Sequence, residues 1–240
     1  MTTAPALPRR RRIHLMRHGA VDYFRADGSA VPPEGVPLNA DGREQARAAG
    51  ALFGAAGVRF DRVVTSGLPR TVETATRVLE AAGQAGAAIG IDAAFEEIRP
   101  GRLADIPRDE VAQAFVGAFA ATGDIESVRF LGGESVGALL DRVLPAFDRL
   151  LADPGWTELL LVLHGGVNRA LLSRAIAGRR AFFGGIEQLP ACINIVDVDE
   201  AGAMVVRTVN LNPTQLLQQD HRTTTMEKLL LQFLRVQAAR

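Results

Sequence analysis

A single cysteine, Cys192, is all the thiol chemistry that this 240-residue chain offers. One thiol excludes an internal disulfide framework and a cysteine-built zinc site. Lysine is equally scarce. Lys228 stands alone, so 26 of the 27 basic residues are arginine. A positively charged site must therefore be built from arginine, whose planar fork suits the oxygens of phosphate or carboxylate. Net charge is missing as well, because 27 basic and 27 acidic side chains cancel. That argues against a nucleic-acid protein held by bulk electrostatics, although a local basic pocket stays open to it. No apolar run approaches the roughly 20 residues that span a bilayer. Arg9 to Arg12 run into Ile13-His14-Leu15-Met16-Arg17-His18 rather than a signal-type apolar stretch. Internal repeats and low-complexity tracts are absent. No His or carboxylate cluster has metal-ligand spacing, so neither a metal nor another cofactor is required. What these exclusions leave is a soluble, cytoplasmic protein of ordinary globular composition, 48% hydrophobic and 22% charged.

Local patterning points to an α/β fold. Residues 1–8 are small and proline-containing, which marks a loose start. Ile13 to Met16 reads as a short buried strand that ends in a loop at Gly19. Asp22 to Pro37 carries several glycines and prolines and is expected to be irregular. Asn39 and Asp41 are N-cap candidates for a helix over 41–56. A strand at Val63-Val64, a helix from Leu68 to Ala82 and a weak strand over Ala87 to Asp92 follow. Pro100, Gly101 and Pro107 break the next region, where an apolar helix over 108–121 carries Phe115 and Phe119. Gly132-Gly133-Glu134-Ser135 opens a helix to Leu151. Leu159 to Leu163 is a continuous apolar run, as expected of a parallel strand covered on both faces. It leads through His164-Gly165-Gly166 into a helix that ends near Gly178. Strands over 192–198 and 204–209 form a hairpin, and a last helix covers 225–237. Strands alternating with helices predict a three-layer α/β/α fold around a mostly parallel sheet. One domain over 1–240 is expected, with 98–132 as a partly helical cap over one edge.

Ligands of open α/β sheets sit beyond the carboxyl ends of the strands. Three such ends carry polar groups: Arg17-His18-Gly19, Thr65-Ser66-Gly67-Leu68-Pro69-Arg70 and His164-Gly165-Gly166. A parallel sheet brings these histidines and arginines to one edge. Two guanidinium forks there can hold phosphoryl oxygens, helix N-termini add backbone donors, and an imidazole can attack phosphorus.

The same segments resemble the histidine phosphatase, or phosphoglycerate-mutase-like, superfamily. Leu15-Met16-Arg17-His18-Gly19 is similar to its Leu-x-Arg-His-Gly signature. The segments from Pro37 to Ala46 and from Val64 to Ala75 match two further motifs in order. So do Phe95-Glu96-Glu97-Ile98 with Gly101, Gly132 to Ser135, and Leu163 to Gly166. The resemblance covers residues 13–198. It implies a phosphoglycerate-mutase-like fold and hydrolysis of a small-molecule phosphomonoester through a phosphohistidine. His18 is then the nucleophile, Arg17, Arg70 and His164 bind the phosphoryl group, and Glu97 donates a proton to the leaving oxygen. Glu97 is preferred to Glu96 because its distance to Gly101 reproduces the family spacing. A phosphoglycerate-type mutase and a non-catalytic phospholigand-binding member of the fold are the alternatives. Ala20-Val21 stands where relatives carry polar substrate contacts, and the run after Gly101 departs from the family as well.

The remaining candidates are fewer. Glu134 is a substrate-binding candidate, although Gly-Glu-Ser also fits a helix start. His14, mid-strand, and His221, in a late loop, read as structural. Arg9 to Arg12 reads as a solvated basic edge, and Cys192 as core filling. Phe115, Phe119 and Phe130, with Arg99, Arg102, Arg108 and Arg129, give the cap an apolar character with few cations. The apolar face of Leu229, Leu230, Leu231, Phe233 and Leu234 packs on the domain or on a second subunit, which leaves a homodimer open.

Overall fold

In the computed structural model, which describes residues 8–25, 29, 31–119, 123–217 and 222–238, six strands form one sheet in the order β3-β2-β4-β1-β5-β6. The strands are β1 (Arg10–Arg17), β2 (Arg62–Thr65), β3 (Ile89–Ile91), β4 (Glu158–Leu163), β5 (Ile193–Asp199) and β6 (Met204–Leu211). β1, β2, β3 and β4 run parallel, and β5 pairs antiparallel with both β1 and β6. The expected hairpin is this β5–β6 pair. In register, Arg17 pairs with Leu163 of β4, and Thr65 of β2 with Val162. The carboxyl ends of the three central strands are therefore level, and that alignment gathers the site.

Alternation along the strands feeds two helical layers. Ile13, Leu15, Leu159, Leu161 and Leu163 point to the side of α4 (Val136–Ala152) and α5 (Gly165–Ala177). Met16, Val63, Leu160 and Val162 point to the side of α1 (Ala40–Ala55) and α2 (Pro69–Ala81). β4 carries no polar residue within 159–163 because both of its faces are covered.

Several boundaries differ from the expectation, each for a physical reason. β1 begins at Arg10 rather than Ile13. The Arg12 guanidinium pairs with Asp197 at 2.7 Å and that of Arg11 lies 4.1 Å over the Trp156 ring, so this stretch is no free basic edge. α1 begins at Ala40 because the Asn39 side chain accepts the Gly42 N–H. α4 waits until Val136, capped by Ser135, because Leu131 and Gly132 both have positive φ.

The helix expected over 108–121 shrinks to α3 (Val111–Val116). Phe119 leaves helical geometry to stack on Phe130 at 5.5 Å and to lie under the Arg169 guanidinium at 5.2 Å. Residues 120–122, and residues 1–7 of the expected loose start, lie outside the described residues. The last helix, α6 (Thr225–Ala238), packs on α3, with Phe233 5.9 Å from Phe24 and 6.0 Å from Phe115. Part of its apolar surface stays outward, with Leu231 and Leu234 exposed. Among the described residues, no helix is long and apolar enough to cross a membrane.

Candidate active site

A cavity of about 970 Å³ opens above the carboxyl edge of the sheet. Its floor is the set of strand ends. His18 follows β1 directly, and its backbone is held from two sides: its N–H donates to Leu163 O, and its carbonyl accepts from Ala191 N. The next two amides are tied by side chains from the opposite layer. Gly19 N–H donates to Thr74 Oγ1 at 3.0 Å, and Ala20 N–H to Gln45 Oε1 at 3.0 Å. α1 approaches this loop so closely that a Cβ on Gly19 would collide with the Gly42 carbonyl. The motif residues on α1 and α2 therefore clamp the loop that carries the histidine.

The His18 ring is buried, and its Nδ1 lies 2.7 Å from its neighbour's carbonyl, Gly19 O. A carbonyl can only accept, so Nδ1 carries the proton and Nε2 presents a lone pair. Burial, with the positive charges of Arg70 and Arg17 close by, holds this imidazole well below its ordinary pKa. It is neutral at pH 7.

His164 sits beside it with ring centroids 5.3 Å apart and no solvent exposure. Its Nε2 is 2.8 Å from Ser66 Oγ, which is 3.1 Å from Thr71 Oγ1. The Thr71 hydroxyl donates to Leu68 O, so Ser66 donates to Thr71 and accepts from His164 Nε2–H. Burial and the Arg70 charge also hold the His164 pKa well below its usual value. Its Nδ1 is buried without a partner, and so are Arg17 Nε and Arg70 Nε. The other arms of these guanidinium groups are anchored: Arg17 Nη1 on Gln188 O at 2.6 Å, Arg70 Nη1 on Pro33 O at 2.6 Å. Buried polar atoms left unpaired around one imidazole cost stability unless a ligand satisfies them. The floor is shaped to receive an anion.

Glu97 closes the floor at the N-terminus of α5. Its carboxylate accepts the Gly166 N–H at 3.1 and 3.2 Å and the Ile98 N–H at 2.9 Å. A side chain at Gly166 would press against Glu97 Oε1 at 2.7 Å, so glycine is what lets the carboxylate dock there. Glu96 also borders the cavity but turns to Arg99, 3.6 Å away.

His18, Arg17, Arg70, Glu97 and His164 are thus brought together, but Glu134 is not. It is absent from the cavity wall, because both of its oxygens are taken by Arg142, at 2.8 and 2.9 Å, and one also accepts the Arg99 N–H. Arg142 donates in addition to the carbonyls of Ala94, Glu96 and Glu97. The pair holds the backbone that presents Glu97 and touches no ligand space. Arg142 escaped the sequence reading; its signal is a charge set among buried Leu139, Leu140 and Val143 on one helix.

His14 lies far from the floor, packed edge-on to Phe53 and Phe60 and bonded to Glu158, and His221 is outside the described residues. Cys192 is buried, and burial pushes its thiol pKa up to about 12. Among the described residues, no group of three or more His, Cys, Asp or Glu side chains is arranged to hold a metal ion.

The roof follows the expected apolar cap only in part. Of the four cap arginines only Arg99 reaches the cavity, and Phe119 does not reach it. Tyr23, Phe24 and Val31 from the irregular loop, Phe115 and Phe130 from the cap, and Met226, Lys228, Leu229 and Gln232 from α6 make the wall. The expectation that arginine alone supplies positive charge is therefore corrected, because the chain's one lysine stands in this wall. The floor and α6 are also wired together. Arg17 Nη1 donates to Thr225 Oγ1 at 3.1 Å, and Thr225 donates to Glu187, whose other oxygen is 3.5 Å from Arg169.

The histidine phosphatase superfamily (branch 1) matches residues 13–211. A 2,3-bisphosphoglycerate-dependent phosphoglycerate mutase of Azorhizobium caulinodans is 34% identical over 141 residues, covering 56% of this chain and 67% of that protein. The crystal structure of the alpha-ribazole phosphatase from Shigella flexneri superposes with a TM-score of 0.60 at 26% identity, over 83% of this chain and 96% of that one. The mycobacterial glucosyl-3-phosphoglycerate phosphatase shares the fold, with a TM-score of 0.64 at 23% identity over 84% of this chain and 99% of that one.

Proposed function

The chain belongs to the histidine phosphatase superfamily, and from that premise we propose that it hydrolyses a small phosphomonoester through a phosphohistidine on His18. One observation carries the reading: three buried nitrogens without partners, on Arg17, Arg70 and His164, surround a neutral imidazole whose free lone pair is on Nε2. In the first step Nε2 attacks phosphorus while Glu97 protonates the departing alcohol. In the second, Glu97 takes a proton from water, which attacks the phosphoenzyme and restores His18. Arg17 and Arg70 meet the equatorial charge, and a phosphoryl dianion favours adding a proton to His164 at Nδ1, which makes it a donor too. Phosphoryl transfer asks little covalent work of a protein, so this charge stabilisation supplies much of the rate.

A mutase reading has its own support in the names of the relatives. Against it stands the wall after Gly19, where Ala20 and Val21 offer no side chain to an anion and apolar groups dominate the roof. A mutase must keep water from its phosphoenzyme and hold a doubly phosphorylated, highly charged intermediate. The test is phosphate release against isomer formation, with 3-phosphoglycerate and with an aryl phosphate, together with trapping of acid-labile, base-stable label on the chain. Phosphate is expected as the main product, the label should vanish in His18→Ala, and chelator should change nothing. Fast isomerisation with negligible phosphate release would overturn the phosphatase assignment.

A further inference from the structure

The residues that α6 itself contributes to its side of the cavity lie beyond the family match, which ends at residue 211. Whatever they recognise belongs to this chain's own substrate rather than to the shared chemistry. Met226, Leu229 and Phe115 give that side an apolar surface, and two polar groups interrupt it. Lys228 is one, and Gln232, one helical turn further along the same face, is the other.

Neither has its polar group satisfied by the protein. Gln232 Oε1 is buried without a partner. Lys228 is half-buried, and its ammonium makes no hydrogen bond or ion pair among the described residues. Glu187, the acid whose charge acts on Lys228, is already committed to Thr225 and Arg169. Burial and the nearby Arg17 charge push the lysine pKa down, so the ammonium is held at a cost that a bound anion would offset. A solvated lysine on a helix face would show none of this. Nor does the floor need it, because the floor has its own cations.

We infer that Lys228 is a specificity-determining residue that receives a second anionic group, a carboxylate in the simplest case, on a leaving alcohol whose body is otherwise apolar. This rests on the phosphomonoesterase reading for the position of the ester. The volume of the cavity, about 970 Å³, accommodates a ring-sized alcohol beyond the phosphoryl group. Apolar contact then comes from the roof, phosphoryl contact from the floor, and the one lysine selects among esters by charge.

Phenyl phosphate and 4-carboxyphenyl phosphate are a matched pair for the test. The wild-type protein is expected to favour the carboxylated ester in KM by about tenfold, as for a charge-assisted hydrogen bond in a partly desolvated site. Lys228→Met should bring the ratio of the two KM values to about one, and Lys228→Arg should keep most of the preference. The same pair measured as Kd by calorimetry on His18→Ala, with and without Lys228→Met, separates recognition from turnover. A Kd preference that Lys228→Met removes, without turnover of either ester in the active protein, would refute the phosphatase reading and leave this inference standing. No preference in the wild type, or one that survives Lys228→Met, overturns it.

Discussion

The floor and the roof of this cavity are built on opposite plans. Every polar atom of the floor has a reason for its place. His18, His164 and Arg70 are almost wholly buried, and each carries a hydrogen bond that fixes its orientation. The roof is a patchwork of apolar side chains from three separate segments, with half-exposed helix positions among them. Phosphorus chemistry tolerates little misplacement, so the floor sits on strand ends and helix starts of a rigid sheet. Substrate choice tolerates more, and it is delegated to the irregular loop after residue 20, the cap and the last helix.

The largest effect should come from the carboxylate where floor meets roof. Glu97→Gln should slow alkyl phosphates by about 10²–10⁴-fold, the usual worth of general acid catalysis. Aryl phosphates, whose leaving oxygen needs little protonation, should lose far less in the same kinetic comparison. Equal losses on both would take Glu97 out of the acid role and pass it to Glu96, which also borders the cavity.

Next comes the scaffold behind the floor. Arg142→Met breaks a mostly buried ion pair and strands the Glu134 carboxylate, whose side chain is only 9% exposed. Breaking such a pair from one side costs on the order of 3–5 kcal/mol, and denaturant titration should find a loss of that size. Because Arg142 holds the carbonyls of Ala94, Glu96 and Glu97, kcat should fall as well while KM for a small ester stays nearly constant. A variant that loses stability but keeps kcat would show that the placement of Glu97 does not depend on this anchor.

These contrasts explain what was legible in the sequence. That His18, Arg17, Arg70 and His164 meet at one edge could be read because a parallel sheet puts strand ends side by side. Helix starts at Asn39 and Ser135 were legible for the same local reason, a cap. Glu134 was misjudged because its motif says only that a carboxylate is wanted, not that Arg142, eight positions along, will consume it. Phe119 was misplaced because aromatic stacking with Phe130 overrode helical propensity. The roof was legible only where the cap supplies Phe115 and Phe130: apolar contact is chemically degenerate, and its polar link joins Arg17 to Thr225 across most of the chain.

The floor should also answer to pH in a way the roof does not. His18 and His164 have folded-state pKa values well below 6.5, whereas in the unfolded chain they return to it. Below pH 6.5 the unfolded state therefore binds protons that the folded state refuses. Stability is fully present above that pH and is lost as pH falls toward the folded values, by up to ~1.4 kcal/mol per pH unit for each histidine. Thermal melts between pH 7 and 5 should show the decline. Saturating inorganic phosphate should flatten it, because a bound anion beside His164 favours its protonation. The part due to His14, whose pKa burial also lowers, should not respond to phosphate, since that ring lies against Phe53 and Phe60. A slope untouched by phosphate would mean that the anion does not bind beside these rings.

The smallest effect tests whether floor and roof are separable at all. Thr225 lies on the roof helix, yet its hydroxyl accepts from Arg17 and donates to Glu187. Thr225→Val keeps the shape and removes only that hydroxyl. Arg17 keeps its bond to Gln188 O, so the guanidinium stays near its place and loses one orienting contact. The loss should be that of one ordinary hydrogen bond, about 1 kcal/mol or roughly fivefold in kcat/KM. Its dependence on substrate is what matters. If Thr225 acts through Arg17, every ester loses by the same factor, small or large, carboxylated or not, because all present the same phosphoryl group. If instead the hydroxyl mainly holds α6 in position, bulky esters lose more than phenyl phosphate does. The hydrogen bond reaches the guanidinium itself, so the uniform loss is the expected result, and Thr225 then belongs with the floor although its helix forms the roof.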